Sequence, residues 1–93
     1  MQYEDYIKMG LDGEAPLKVI LCGMVEENPR GKVGVVSVVY VTMDRVQAEA
    51  KLRELLQQNQ EERYYMVYSV PLDTDLTALS HYPSIEITKE DLE

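Results

Sequence analysis

The feature that most constrains the fold is a strand pattern followed directly by a helix pattern in the middle of the chain. Residues 32–42 carry valine or tyrosine at both odd and even positions, which is typical of a strand buried on two faces. Residues 43–60 then predict a helix that begins at the N-cap Asp44. We expect its apolar stripe to lie on a sheet, and that stripe consists of Ala48, Leu52, Leu55 and Leu56.

A second strand pattern precedes the first and is joined to it by a short turn. Residues 17–26 are apolar on both faces, with Lys18 and Glu26 at the limits of the buried part. Residues 27–31 read Glu-Asn-Pro-Arg-Gly, in which proline fixes its own φ and glycine accepts a positive φ. This predicts an antiparallel hairpin over residues 17–41.

A third strand is predicted at residues 63–70, after the helix. A right-handed crossover through the helix would make this strand parallel to the second one in the same sheet. The first strand has room between them, but the sequence leaves the strand order open. The sequence therefore predicts an α+β fold. It has a mixed three- or four-stranded sheet, built from a β-hairpin, a crossover helix and a third strand, and one principal helix packed on one face.

The two ends of the chain carry shorter signals. Residues 2–9 predict a short helix that is broken at Gly10 and Gly13. Capping residues precede Leu76 and Leu79, residues 84–88 alternate as an edge strand does, and residues 88–91 have the form of a further cap. Because we find no repeat and no linker, we expect residues 1–93 to form a single domain.

The charge is concentrated at the two ends. The net charge is -8, yet residues 17–71 contain seven acidic and seven basic residues. Residues 1–16 and 72–93 are therefore acidic segments, which keep a small domain soluble or offer an acidic surface to a basic partner. Without a basic cluster to offset them, these ends would repel a phosphate backbone, so we expect no nucleic acid partner.

Cysteine content and hydropathy bear on location. Cys22 is the single cysteine, so no disulfide can form within the chain. The first residues are polar and acidic and do not resemble a secretory signal, which favours a cytoplasmic protein. The longest apolar run is interrupted at Gly34 and Ser37 and is too short to span a membrane, so we expect no membrane association.

The hairpin is apolar on both faces, whereas a single long helix covers one face only. We expect the other face to be covered by one of three elements: the N-terminal segment, the turn that carries Leu76 and Leu79, or a second copy of the chain. A symmetric homodimer is the commonest oligomer and is one of the expected states.

Residues with catalytic or metal-binding chemistry are sparse. His81 is the single histidine and Ser80 and Cys22 are conceivable nucleophiles, but nothing in the sequence places these groups together. We interpret His81 as a loop or capping residue and Cys22 as a core residue. Asp73 and Asp75 lack the glycine and distal glutamate of a calcium loop, so we expect no metal site. From the scattered positions of the other reactive groups we also expect no cofactor and no catalytic residue.

Tyrosine is the distinctive residue type, with seven copies and no phenylalanine or tryptophan. Tyr64, Met66 and Tyr68 share a parity in the third strand, and with Tyr40 they form a candidate interface on one sheet face. We expect a non-enzymatic cytoplasmic protein that acts as a protein-interaction or dimeric accessory module. A small-molecule binding or sensor domain that uses the sheet face is the alternative, and a small enzyme is less favoured.

Overall fold

The computed structural model describes residues 2–58, 63–79 and 84–92 of the chain. Within these residues it contains three strands and two α-helices, which makes the fold α+β as predicted. The elements in chain order are α1 (Tyr3–Asp12), β1 (Leu17–Asn28), β2 (Gly31–Thr42), α2 (Arg45–Gln57) and β3 (Tyr64–Val70). Short 3-10 turns follow at Leu76–Ala78 and Glu90–Leu92.

The sheet has the strand order β2-β1-β3, and β1 pairs antiparallel with both neighbours. β2 and β3 therefore run in the same direction with β1 between them, which is what a crossover through α2 requires. The prediction of a mixed sheet is nevertheless wrong for the described residues. Because α2 carries the chain past β1, the strand that β3 meets is β1, and every hydrogen-bonded pair is antiparallel.

The predicted hairpin is confirmed in β1 and β2. Asn28 pairs with Gly31 across the two-residue turn Pro29-Arg30. The Arg30 amide donates to Asn28 Oδ1 at 2.9 Å, and Gly31 adopts a φ of 126°, a conformation that a residue with a Cβ rarely accepts.

One face of the sheet, which we call the helix face, packs against both helices. The α2 stripe lies on it as predicted, since Ala48 and Leu52 are fully buried and Leu55 and Leu56 pack against the same core. Asp44 is the predicted cap and accepts hydrogen bonds from the amides of Val46 and Gln47. The buried core cluster comprises Ile7, Leu11, Ile20, Cys22, Ala48, Leu52, Tyr65 and Val67.

The expectation of one principal helix needs correction, because α1 has 10 residues against 13 in α2. α1 does not stop before Gly10 but continues to Asp12. A Cβ added at Gly10 would lie 2.0 Å from the Val67 carbonyl oxygen, so the helix backbone rests directly on β3. Glycine is therefore present at this position for close packing, and tertiary contact outweighs its low helix propensity.

Two ion pairs join the helices at their opposite ends. Arg53 at the end of α2 binds Glu4 at the start of α1 through two hydrogen bonds of 2.6 and 2.9 Å. Arg45 at the start of α2 donates to Asp12 Oδ1 at 2.7 Å. The helices therefore run antiparallel. The hydrogen bond from Arg53 lowers the pKa of the Glu4 carboxyl below its ordinary value.

The opposite face, which we call the tail face, is crossed by the C-terminal segment. Ile85 lies over Gly23 and Ile87 lies over Gly34, where an added Cβ would come within 2.7 and 2.6 Å of the isoleucine side chains. Residues 84–88 do not form the predicted edge strand. Their alternation instead directs two isoleucines onto the sheet, because two glycines leave room for them.

The predicted capping signals in the tail are confirmed. Asp75 Oδ1 accepts from the Thr77 amide at 3.0 Å at the first 3-10 turn. The Thr88 amide donates to Asp91 Oδ2 at 2.9 Å at the second. Neither helix of the described residues has the length and apolarity that a membrane-spanning segment needs.

Candidate interaction surface on the edge strand

The structure separates the four predicted interface residues. Tyr64, Met66 and Tyr68 pair with tail-face residues of β1, as their shared parity predicts. Tyr40 instead pairs with Ile20 and packs against the core on the helix face. The single tyrosine platform is therefore wrong in geometry, since its members lie on two faces of the sheet.

A bulge in β2 explains where Tyr40 lies. Leu21 pairs with Val38, whereas the preceding residue Ile20 pairs with Tyr40, so Val39 is an extra residue in β2. If the register before the bulge continued, with Val39 opposite Ile20, Tyr40 would stand opposite Val19, which pairs with Tyr68 on its other side. One inserted residue exchanges the two faces for every position beyond it.

The three β3 residues are largely engaged within the chain. Met66 is buried, and the Tyr68 hydroxyl donates to the Ser84 carbonyl oxygen at 2.7 Å. The Tyr64 hydroxyl lies 3.3 Å from Met66 Sδ, and partial burial raises the pKa of this phenol. These residues support the tail segment, and an interface role for them stays a prediction.

Tyrosines also line an open cleft beside α1. Its volume is about 400 Å³, and the rings of Tyr3 and Tyr64 meet there at 5.6 Å between centroids. The Tyr3 hydroxyl donates to the Tyr65 carbonyl oxygen, and burial is the main cause that raises the pKa of Tyr3 to about 12. The lining residues are Tyr3, Tyr6, Leu56, Arg63, Tyr64 and Tyr65.

Sequence reasoning missed a buried polar pair, because Lys18 looks like the boundary of a strand. Lys18 is buried, and its ammonium group donates to Ser69 Oγ at 2.7 Å and to the carbonyl oxygens of Gly13 and Ala15. Ser69 in turn donates to the Gly10 carbonyl oxygen. A serine next to a lysine is also a catalytic arrangement.

The direction of these hydrogen bonds assigns the pair a structural role. A nucleophilic serine gives its proton to the base, whereas Ser69 gives it to the Gly10 carbonyl and accepts from Lys18. The ammonium group satisfies three acceptors at the C-terminal end of α1, where positive charge is favourable. The pair therefore fixes α1 to β1 and β3.

β2 forms one edge of the sheet. None of its twelve residues is buried, and no strand among the described residues pairs with its outer side. Five of its valines are between 41% and 60% exposed, although valine is among the residues most often buried. We call this group the β2 valines: Val33, Val36, Val38, Val39 and Val41.

The β2 valines lie on both sides of the strand. Val36 and Val38 pair with tail-face residues of β1, and Val33 pairs across from Glu26 on the helix face. The strand therefore presents apolar side chains above and below an edge with which no strand of the described residues pairs. Such an edge is a template for the addition of another strand.

Metal-binding and nucleophilic groups do not converge in the described part of the chain. No group of three His, Cys, Asp or Glu side chains there could hold a metal ion, and Cys22 is a buried core residue as predicted. His81, which the sequence identified as a loop or capping residue, lies outside the described residues.

No protein-family model matches this chain, and neither the curated proteins nor the solved structures contain one with detectable similarity to it.

Proposed function

We propose that this chain is a non-enzymatic protein-interaction module and that β2 is its contact element. One observation carries the proposal: β2 is a twelve-residue edge strand with five half-exposed valines and no buried residue. Natural proteins usually blunt such an edge with charges, proline or a covering element. Here the strand has no proline, and its protective features are limited to Lys32 and the bulge at Val39.

The energetics favour a strand-like partner. Covering a half-exposed valine is worth roughly 0.5–1 kcal/mol, and each new backbone hydrogen bond contributes about 0.5–1.5 kcal/mol. A partner that adds a strand to β2 gains both terms together. A partner that covers one face alone would leave the backbone groups of the edge unpaired.

A non-enzymatic role is supported by the state of the polar groups. The Lys18 ammonium group and the Ser69 hydroxyl donate hydrogen bonds to backbone carbonyl oxygens at the end of α1 and just after it. A cytoplasmic location is supported by the single cysteine, which is buried and unpaired, as is usual in a reducing compartment.

Site-specific photo-crosslinking in the native host tests the proposal. A photoreactive residue at Val38, which is 60% exposed, is expected to give one discrete adduct. The same residue at Met9, which is 59% exposed on α1, is the matched control and is expected to give none. Absence of an adduct at Val38, or equal adducts at both positions, would overturn the proposal.

The tyrosine cleft favours a second candidate function, the binding of a small aromatic molecule. Four tyrosines and Arg63 line its volume of about 400 Å³, which is within the range of small-ligand sites. Native mass spectrometry of the chain purified from its host tests this candidate. It predicts a bound mass of a few hundred daltons that is lost in Tyr6→Ala, and a ligand-free spectrum contradicts it.

A further inference from the structure

We infer that the occupant of the β2 edge is a second copy of this chain, paired antiparallel through β2 about a two-fold axis near Ser37. This inference rests on the proposed function of β2 as the contact element. It names the partner and its orientation, which the proposed function leaves open. The product is a continuous six-stranded sheet.

The charges at the two ends of β2 select the orientation. Residues 33–43 contain no charged side chain, and they are flanked by Lys32 at one end and Asp44 at the other. In an antiparallel pair about Ser37, the basic end of each copy lies beside the Asp44 end of the other, with Arg30 opposite Asp44 and Lys32 opposite Thr42. A parallel pair would bring Lys32 next to Lys32 and Asp44 next to Asp44, where like charges repel.

The same geometry is self-complementary for the apolar side chains. A two-fold axis near the middle of Gly31–Thr42 presents the same patch from both copies, as closed dimers do. Ser37 lies at that midpoint and is exposed. Val36 and Val38 flank it, so valines of one copy meet valines of the other on the tail face.

The far side of the molecule does not offer a comparable edge. β3 has four buried residues, and α1 lies against it with the Gly10 backbone close to Val67. A second copy therefore adds at β2. Assembly stops at the dimer because the two-fold pairing covers the free β2 edge of each copy.

Sedimentation of the purified chain tests the stoichiometry. We expect a species of twice the chain mass of 10.7 kDa at micromolar concentration. Val38→Lys should shift the dissociation constant upward by at least tenfold, whereas Met9→Lys, which changes a residue of similar exposure on α1, should leave it unchanged. A wild-type chain that stays monomeric at high micromolar concentration overturns the inference.

Disulfide trapping in a Cys22→Ala background tests the orientation, because Cys22 is the cross-strand partner of Ser37 and would otherwise compete for a thiol at position 37. Ser37→Cys should form an intermolecular disulfide, since the axis brings its two copies together. Val33→Cys should not, because its two copies would stand roughly 26 Å apart at about 3.3 Å per residue. A parallel pair would trap both variants, and that result contradicts the inference.

The two proposals fail in distinguishable ways. A heterologous adduct at Val38 in the host, together with a monomeric purified chain, overturns the second copy but keeps β2 as the contact element. Absence of any adduct at Val38 overturns both. An adduct whose mass is twice that of the chain, together with trapping at position 37 and not at 33, supports both.

Discussion

The two edge strands of this sheet are both rich in strand-favouring residues, but they differ in how far the rest of the chain buries them. β3 reads Tyr-Tyr-Met-Val-Tyr-Ser-Val and β2 is a run of valines, so both are rich in residues that favour strands. Four of the seven residues in β3 are buried, whereas none of the twelve in β2 is. Apolar composition alone therefore does not decide which strand the monomer covers.

The difference comes from what each strand has beside it. α1 packs against β3. It is held there by the close approach at Gly10 and by the hydrogen bonds among Lys18, Ser69 and the end of the helix. β2 contacts α2 through Tyr40 and the tail segment through Gly34, but no strand of the described residues pairs with its outer edge. One edge is closed by a dedicated set of contacts, and the other is left available.

The largest expected effect compares one substitution at the two edges. Val67→Asp buries a carboxylate at a position that is 1% exposed in β3, and it should reduce the free energy of unfolding by more than about 4 kcal/mol. Val38→Asp, at a position that is 60% exposed in β2, should change it by less than about 0.5 kcal/mol. Urea denaturation in a sample dilute enough for the chain to be monomeric measures both, and equal losses would show that the edges are not different.

The next effect concerns the lysines of the two regions. Lys18→Met removes three hydrogen bonds and leaves buried acceptors without a donor, which should cost about 3 kcal/mol of unfolding free energy. Lys32→Met removes an exposed contact of 3.9 Å with Glu27 and should cost at most about 0.5 kcal/mol. The same denaturation experiment measures both, and a neutral Lys18→Met variant would remove the structural role of the Lys18–Ser69 pair.

A smaller effect compares two glycines. Gly10→Ala places a Cβ against the Val67 carbonyl oxygen, a backbone atom, and should cost about 2 kcal/mol although alanine is the better helix former. Gly34→Ala meets the Cδ1 and Cγ2 methyl groups of Ile87, which belong to a side chain of the tail segment and not to the sheet backbone, and should cost less, about 1 kcal/mol. Thermal unfolding gives the order of the two, and the reverse order would contradict close packing of α1 on β3.

The smallest effect is a pH dependence of the unfolding free energy that arises from Tyr3, a residue of α1 beside β3. The pKa of Tyr3 is raised from 10.0 to about 12, so the folded state favours the neutral phenol more than the unfolded state does. Its contribution to stability is therefore fully present below pH 10 and is lost as the pH rises toward 12.

An ultraviolet titration checks this effect: the absorbance change near pH 12 should be smaller in Tyr3→Phe than in the native chain by the contribution of one tyrosine. The variant should also lose about 1 kcal/mol of unfolding free energy, because the hydrogen bond to the Tyr65 carbonyl disappears. A titration curve that is identical in both proteins would contradict the burial of this hydroxyl.

Local signals in the sequence predicted the hairpin and α2 correctly. The Asn-Pro-Arg-Gly turn and the Asp44 cap act within a few residues, so their physical causes are visible in the chain itself. The length of α1 was underestimated because Gly10 normally weakens a helix. Its reason for being there is a contact with Val67, which is 57 positions away.

The candidate surface was only partly predictable for a related reason. The valines of a strand that is apolar on both faces predicted an association surface. The predicted tyrosine platform is wrong because the bulge at Val39 moves Tyr40 to the other face of the sheet. Lys18 was interpreted as the limit of the buried part of the first strand, because its three acceptors come from a helix end and a distant strand. Such contacts depend on tertiary placement and leave no local pattern.

Amide hydrogen exchange along the two edge strands tests the central claim most directly. In a dilute sample, where the chain is monomeric, we expect the outward amides of β2 to exchange much faster than the amides of β3, and to gain protection as the concentration rises. If the β2 amides are as protected as those of β3 at every concentration, the edge is not open and the account is wrong.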